Sequence, residues 1–284
     1  MSIAVTGATG QLGRLVVEAL ITRGTAPSEI VAVVRDSAKA EALSARGVQV
    51  RVADYDAPET LTTAFAGVDK LLLISGNAVG QRVPQHTAVI NAAKAAGVGF
   101  LAYTSLLRAD TSTLGLGPEH KATEELIAAS GIPYALLRNG WYIENYTGNL
   151  AGDIEHGAIY GASGEGRIAA ATRGDYAEAA AAVLISGETG VFELGGTTPF
   201  TKGELAAAIA QQSGKPVEYR NLSVADFQAA LVGAGLPEAF AGLLADTDGK
   251  VVDGELDTDS TDLQRLIGRP STPLDDAIAT ELKG

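Results

Sequence analysis

Glycines at positions 7, 10 and 13 punctuate the stretch TGATGQLG, between the apolar run SIAVT and the periodic run LGRLVVEAL. At a strand-to-helix junction such glycines cradle an anion on backbone N–H groups at the positive end of the helix. Gly7 is expected to allow the tight turn, Gly10 to leave the backbone bare where a pyrophosphate approaches, and Gly13 to let the helix pack closely. The spacing is GxxGxxG, one residue longer than GxGxxG; a tight turn with no ligand is the plainer alternative. An acid about 20 positions after the glycines would bond a ribose 2′-hydroxyl, whereas an Arg accommodates a 2′-phosphate. The run EIVAVV is closed by Arg35, which points to NADPH over NADH, with Asp36 beside it as a competing carboxylate.

Further groups fall where the same crevice is expected. Ser75, Gly76 and Asn77 end the run DKLLLIS with small residues that let backbone approach a ligand. Asp54 and Tyr55 either flank an adenine or form an Asx turn. His120 and Glu124, four apart in PEHKATEELIAASG, either form a proton-delivering pair or an exposed helical pair. His86, His120 and His156 lack helical pairing and thiolate company, so no metal site is expected.

Six short apolar runs must position these groups: residues 2–6, 29–34, 48–53, 69–75, 98–105 and 134–138, each followed by a helical pattern. Near-continuous hydrophobic runs are those of strands covered on both faces. The fold class expected is α/β, a Rossmann-like doubly wound parallel sheet with ligands at the carboxyl ends of its strands. Residues 1–150 are expected to form the cofactor-binding domain and 151–284 a smaller α/β lobe on the substrate side, with the chain free to cross between them. In that second part VFELGG reads as a strand, TKGELAAAIAQQSG as a helix opened by a capping box, and VVDGELDTDSTD as a solvated loop.

The 284 residues, 46% hydrophobic, suffice for a large core. No apolar run is long enough to cross a bilayer, and the chain enters a strand pattern without a leader, so neither membrane nor secretion is expected. A net charge of −13 disfavours nucleic acid, and the absence of cysteine fits a reducing cytoplasm. Monomer and homodimer are both compatible with the sequence.

TGATGQLG, VVRDSAKAEAL, LLLISGNAVGQRVPQH, INAAKAAGV, AYTSLLRADTS and LLRNGWYIENY together resemble the NmrA-like atypical short-chain dehydrogenases. Within that group the chain is most similar to bacterial NADPH-dependent quinone oxidoreductases, with triphenylmethane reductases second. The hallmark of the wider short-chain family, a Tyr followed four residues later by Lys, is absent after all eight tyrosines. The resemblance implies that NADP phosphates lie on Gly7, Ala8, Thr9, Gly10, Gln11 and Leu12, with the 2′-phosphate on Arg35. It implies that the nicotinamide half lies near Ser75, Gly76, Asn77, Thr104, Asn139, Gly140, Trp141 and Tyr142, with Arg173 on the far side of the cleft.

From the residues themselves, a flat acceptor can stack on Trp141 or Tyr142 while Asn139 donates to a developing oxyanion; packing between lobes is the alternative role for Trp141. The reading is a reductase passing hydride from NADPH to a quinone-like acceptor, without flavin or metal, its product protonated by water or His120. A non-catalytic NADP-binding sensor and a reductase of triarylmethane dyes are the rival readings.

Overall fold

The computed structural model describes residues 1–283. Nine strands are present among them: β1 (Ile3–Thr6), β2 (Ile30–Val34), β3 (Gln49–Val52), β4 (Lys70–Leu73), β5 (Phe100–Leu106), β6 (Tyr134–Asn139), β7 (Ala158–Gly161), β8 (Gly190–Leu194) and β9 (Glu218–Asn221). Seven form one sheet in the order β3-β2-β1-β4-β5-β6-β8, and every pair in it is parallel. The order reverses between β1 and β4, the switch point where such sheets leave a crevice.

Burial explains why the strands are apolar throughout. Ile3 and Val5 of β1 join one core cluster with Val16, Leu20 and Leu184, while Ala4 joins the cluster on the other face with Leu61, Phe65 and Val89. Helices Gln11–Thr22 and Arg173–Ser186 supply the first cluster; Pro58–Ala64, Arg82–Ala95 and Gly117–Ser130 supply the second. All six expected strands are present, and the doubly wound α/β class holds.

The second part of the chain is interwoven with the first. VFELGG forms β8, which extends the large sheet beside β6 instead of belonging to the lobe. The helix before β8 also covers the large sheet, and helix Asp262–Ile267 packs against it. The lobe holds a two-stranded parallel sheet of β7 and β9 over a third cluster that includes Leu106, Ile168, Leu205 and Ile278. β7 had no sequence signal, because only three of its residues, Ala158 to Tyr160, stand between Gly157 and Gly161, too few to show a run. The capping box at Thr201 and Glu204 forms as expected and its helix ends at Gly214. The acidic stretch 251–262 is not simply solvated. Val251 and Leu256 are buried in the third cluster, and Glu255 accepts hydrogen bonds from Ser112 and Thr113.

Candidate cofactor and acceptor site

Because the sheet is parallel, the residues closing β1, β2, β4, β5 and β6 share one edge. Gly7 leaves β1 with φ +58°, a left-handed conformation that favours glycine. Gly7 O accepts from Gly10 N–H at 2.8 Å, and Ala8 N–H ties the turn to Val33 O of β2. A Cβ on Gly13 would meet Gly7 O and lie 2.8 Å from Ala8 Cα, so glycine there lets the helix close down on the turn itself. Helix Gln11–Thr22 begins at Gly10 with no side-chain cap and no acid in its first turn. Its first amides are therefore open to an external anion. Thr9 is half-buried, Gly10 and Gln11 are exposed, and Leu12 turns its side chain into the core, leaving its backbone N–H at the turn.

Arg35 follows β2, exposed, with no hydrogen-bond or ion-pair partner among the described residues. Asp36 accepts from Ala38 N–H at 3.0 Å and caps the short turn Ser37–Ala40. The carboxylate that competed with Arg35 is thus engaged locally. Asp54 likewise accepts from Asp56 N–H in an Asx turn, while Tyr55 Oη donates to Thr6 Oγ1 at 2.6 Å and braces the ends of β1 and β4.

Ser75 and Gly76 are half-buried and Asn77 is exposed. Ser75 N–H donates to Thr104 Oγ1 at 2.9 Å, so Thr104, buried at the end of β5, anchors the loop after β4. His120 and Glu124 require a correction. They do not pair with each other, and neither is exposed. His120 Nδ1 shares a 2.8 Å hydrogen bond with Tyr103 Oη, while Glu124 forms a bidentate pair with Arg138 and accepts from Ser105. Burial, aided by the Arg82 charge, lowers the His120 pKa to about 3. A ring neutral at pH 7 and without a carboxylate partner is no proton source for a reduced acceptor. Helical spacing brought the two residues to one face, but the stronger guanidinium partner on β6 took the carboxylate.

Asn139 ends β6, buried, with Oδ1 lacking any hydrogen-bond partner. Gly140 N–H is taken by Leu194 O at 2.7 Å, and a Cβ there would crowd Ala169 O and Tyr176 Oη at 3.0 Å. Gly140 therefore packs the end of β6 against its neighbours. Trp141 is half-buried against the third core cluster, the seam position. Tyr142 meets Tyr176 edge-on at 5.5 Å, and the Arg173 guanidinium lies 4.5 Å from its ring centroid. Arg173 is held there by Glu144 and by Asn145 Oδ1 at 3.0 Å. Burial raises the Tyr142 phenol pKa against the pull of Asn139 and Arg173, so it is a neutral donor at pH 7. Tyr176 carries no motif, and only the fold brings it beside Tyr142, while Glu144, two residues after Tyr142, holds Arg173.

Residues 1–248 match the model of the NmrA-like family. The chain belongs to the NmrA-like family. It is 56% identical to quinone oxidoreductase 2 of Escherichia coli over 279 residues, 98% of this chain and 97% of that one. The structure of an NADPH-dependent quinone oxidoreductase of Escherichia coli, solved with NADPH, superposes with a TM-score of 0.96 at 54% identity, covering 99% of both chains. Triphenylmethane reductase of Citrobacter sp., solved with NADP(H), gives 0.94 at 41% identity, covering 99% of this chain and 100% of that one.

In this NmrA-like chain the strand-end residues suit a dinucleotide phosphate. The helix terminus is open to a pyrophosphate, Arg35 has no partner that would compete with a further phosphate, and the Asn139 oxygen at the other end of the same edge lacks an N–H donor. No helix among the described residues is long and apolar enough to cross a membrane.

Proposed function

We propose that the chain is an NADPH-dependent reductase acting on quinone-like planar acceptors. The observation that carries this reading is the division of one sheet edge. A phosphate-binding turn with free Arg35 stands at β1 and β2, and an aromatic shelf of Tyr142 and Arg173 with unsatisfied Asn139 follows β6. The 56% identity to a quinone oxidoreductase over nearly the whole chain supports the same conclusion. NADPH, when bound, supplies a hydride to the acceptor.

The chain's own groups bind and orient. The turn Gly7–Leu12 presents the uncapped start of helix Gln11–Thr22 to the pyrophosphate, and Arg35 selects the 2′-phosphate by charge-assisted hydrogen bonds. The loop Ser75–Asn77, anchored on Thr104, presents backbone to the nicotinamide half. Tyr142 offers a flat face backed by a cation, which favours an electron-rich product over the electron-poor acceptor only weakly, while its neutral phenol and the Asn139 amide receive the charge that develops on oxygen. No side-chain acid is required, because a reduced quinone is a stabilised oxyanion that water protonates.

The test is NADPH oxidation followed by absorbance with a panel of quinones and cationic triarylmethane dyes, with no flavin or metal added. Turnover highest with quinones is expected. Faster dye reduction overturns the acceptor class, and NADPH binding without oxidation of any acceptor identifies a sensor.

A further inference from the structure

The loop between β4 and helix Arg82–Ala95 is held from behind, and its Gly76 peptide is gripped on both sides. Gly76 N–H donates to His86 Nε2 at 3.0 Å, and Gly76 O accepts from Arg82 Nε at 2.6 Å. Both side chains are buried, His86 at 0% and Arg82 at 7% exposure. At the far end of the loop, Glu119 Oε1 accepts from the N–H groups of Gly80 and Arg82 at 3.0 and 3.2 Å. Residues 77–79 thus span two fixed ends.

Hydrogen accounting sets the tautomer of His86. Thr123 Oγ1 donates to Glu119 O at 2.8 Å, so toward His86 Nδ1, 2.9 Å away, its oxygen acts as acceptor. Nδ1 carries the proton, and Nε2 is left with the lone pair that Gly76 N–H needs. Burial and the Arg82 charge lower the His86 pKa to about 4, which keeps this arrangement intact at pH 7. In this buried position the imidazole satisfies the Gly76 N–H, which an aliphatic side chain would leave unpaired.

We propose that His86, in the tautomer set by Thr123, and Arg82 are positioning residues for the nicotinamide half of the cofactor. They lock the Gly76 peptide so that Ser75–Asn77 presents a fixed backbone edge to the bound dinucleotide. The inference rests on the NADPH reading above.

The experiment is fluorescence titration of NADPH into wild type, His86→Leu, His86→Gln and Thr123→Val at pH 7, each checked for a cooperative thermal transition, with 15N spectra of the histidine rings of the cofactor-free wild type. His86→Leu is expected to raise the Kd about 10-fold. His86→Gln, whose amide oxygen accepts from Gly76 N–H, is expected to return it to within about 3-fold of wild type, and Thr123→Val to fall between. The wild-type His86 ring is expected as the Nδ1–H tautomer. An unchanged Kd in folded His86→Leu, a folded His86→Gln that does not restore binding, or an Nε2–H ring overturns the proposal. Should His86→Leu not fold, an unchanged Kd in Thr123→Val does the same. Wild type that binds no NADPH overturns the cofactor reading itself, a result distinct from wild-type binding that His86→Leu leaves unaltered.

Discussion

The two ends of the candidate site are built by different means. The phosphate end consists of backbone from consecutive residues, Gly7 to Leu12, shaped by one left-handed glycine and one close helix contact. The acceptor end consists of side chains from separate segments: Asn139 at the end of β6 and Tyr142 just after it, and Arg173 and Tyr176 from a helix that begins some thirty residues later. The first end is rigid because no rotamer has to be fixed to form it, whereas the second depends on stacking and ion pairs that can be altered one at a time. Substitutions should therefore separate cofactor binding from acceptor use.

The largest effect is expected at the backbone end. Gly13→Val places atoms against Gly7 O and Ala8 Cα, and NADPH affinity measured by fluorescence titration should fall at least about 100-fold, equivalent to ~2.7 kcal/mol, with the acceptor end unaltered in structure. Retained affinity would show that the turn adapts and is not rigid.

Acid should loosen the layer behind the cofactor loop before the lobe. His86 and His120, both buried there, have folded pKa values lowered to about 4 and about 3, against 6.5 when unfolded. The unfolded chain then binds more protons between those limits, so stability is full above 6.5 and is lost as pH falls below it. Between pH 7 and 5.5 the two together should cost about 2 to 3 kcal/mol, read by urea denaturation and by amide exchange in helices Arg82–Ala95 and Gly117–Ser130. Equal loosening of the lobe would contradict the assignment.

Arg35→Ala comes next. It should raise the Michaelis constant for NADPH about 30-fold and that for NADH less than about 2-fold, as expected for a lost charge-assisted phosphate contact. The smallest effect belongs to the acceptor end. Arg173→Met removes the cation over Tyr142 and should raise the Michaelis constant for a quinone about 5-fold, an interaction of ~1 kcal/mol, with the Kd for NADPH unchanged. A change in NADPH affinity instead would join the two ends into one unit.

The same contrast governs what the sequence made legible. Six strands, the glycine turn and Arg35 could be read directly, because each depends on residues adjacent in the chain or on both faces of a strand being buried. The Tyr142 and Arg173 shelf, the bracing of Tyr55 on Thr6 and the His86 grip on Gly76 are contacts between distant segments with no local pattern. The pair His120 and Glu124 shows the opposite failure: correct helical spacing, defeated because Arg138 and Tyr103 offer better partners from the sheet. β8 escaped assignment to the large sheet for a related reason, since the chain leaves that sheet after β6 and returns only after residue 172.

The central claim is that hydride passes directly from NADPH, seated on the glycine turn, to a planar acceptor. A single-turnover mix of the NADPH-loaded protein with a quinone, repeated with NADPH deuterated on each face of nicotinamide C4, tests it most directly. The account predicts oxidation within the first turnover, slowed at least about 2-fold by deuterium on one face only. Bound NADPH that is not oxidised, or oxidation equally indifferent to deuterium on both faces, would contradict it.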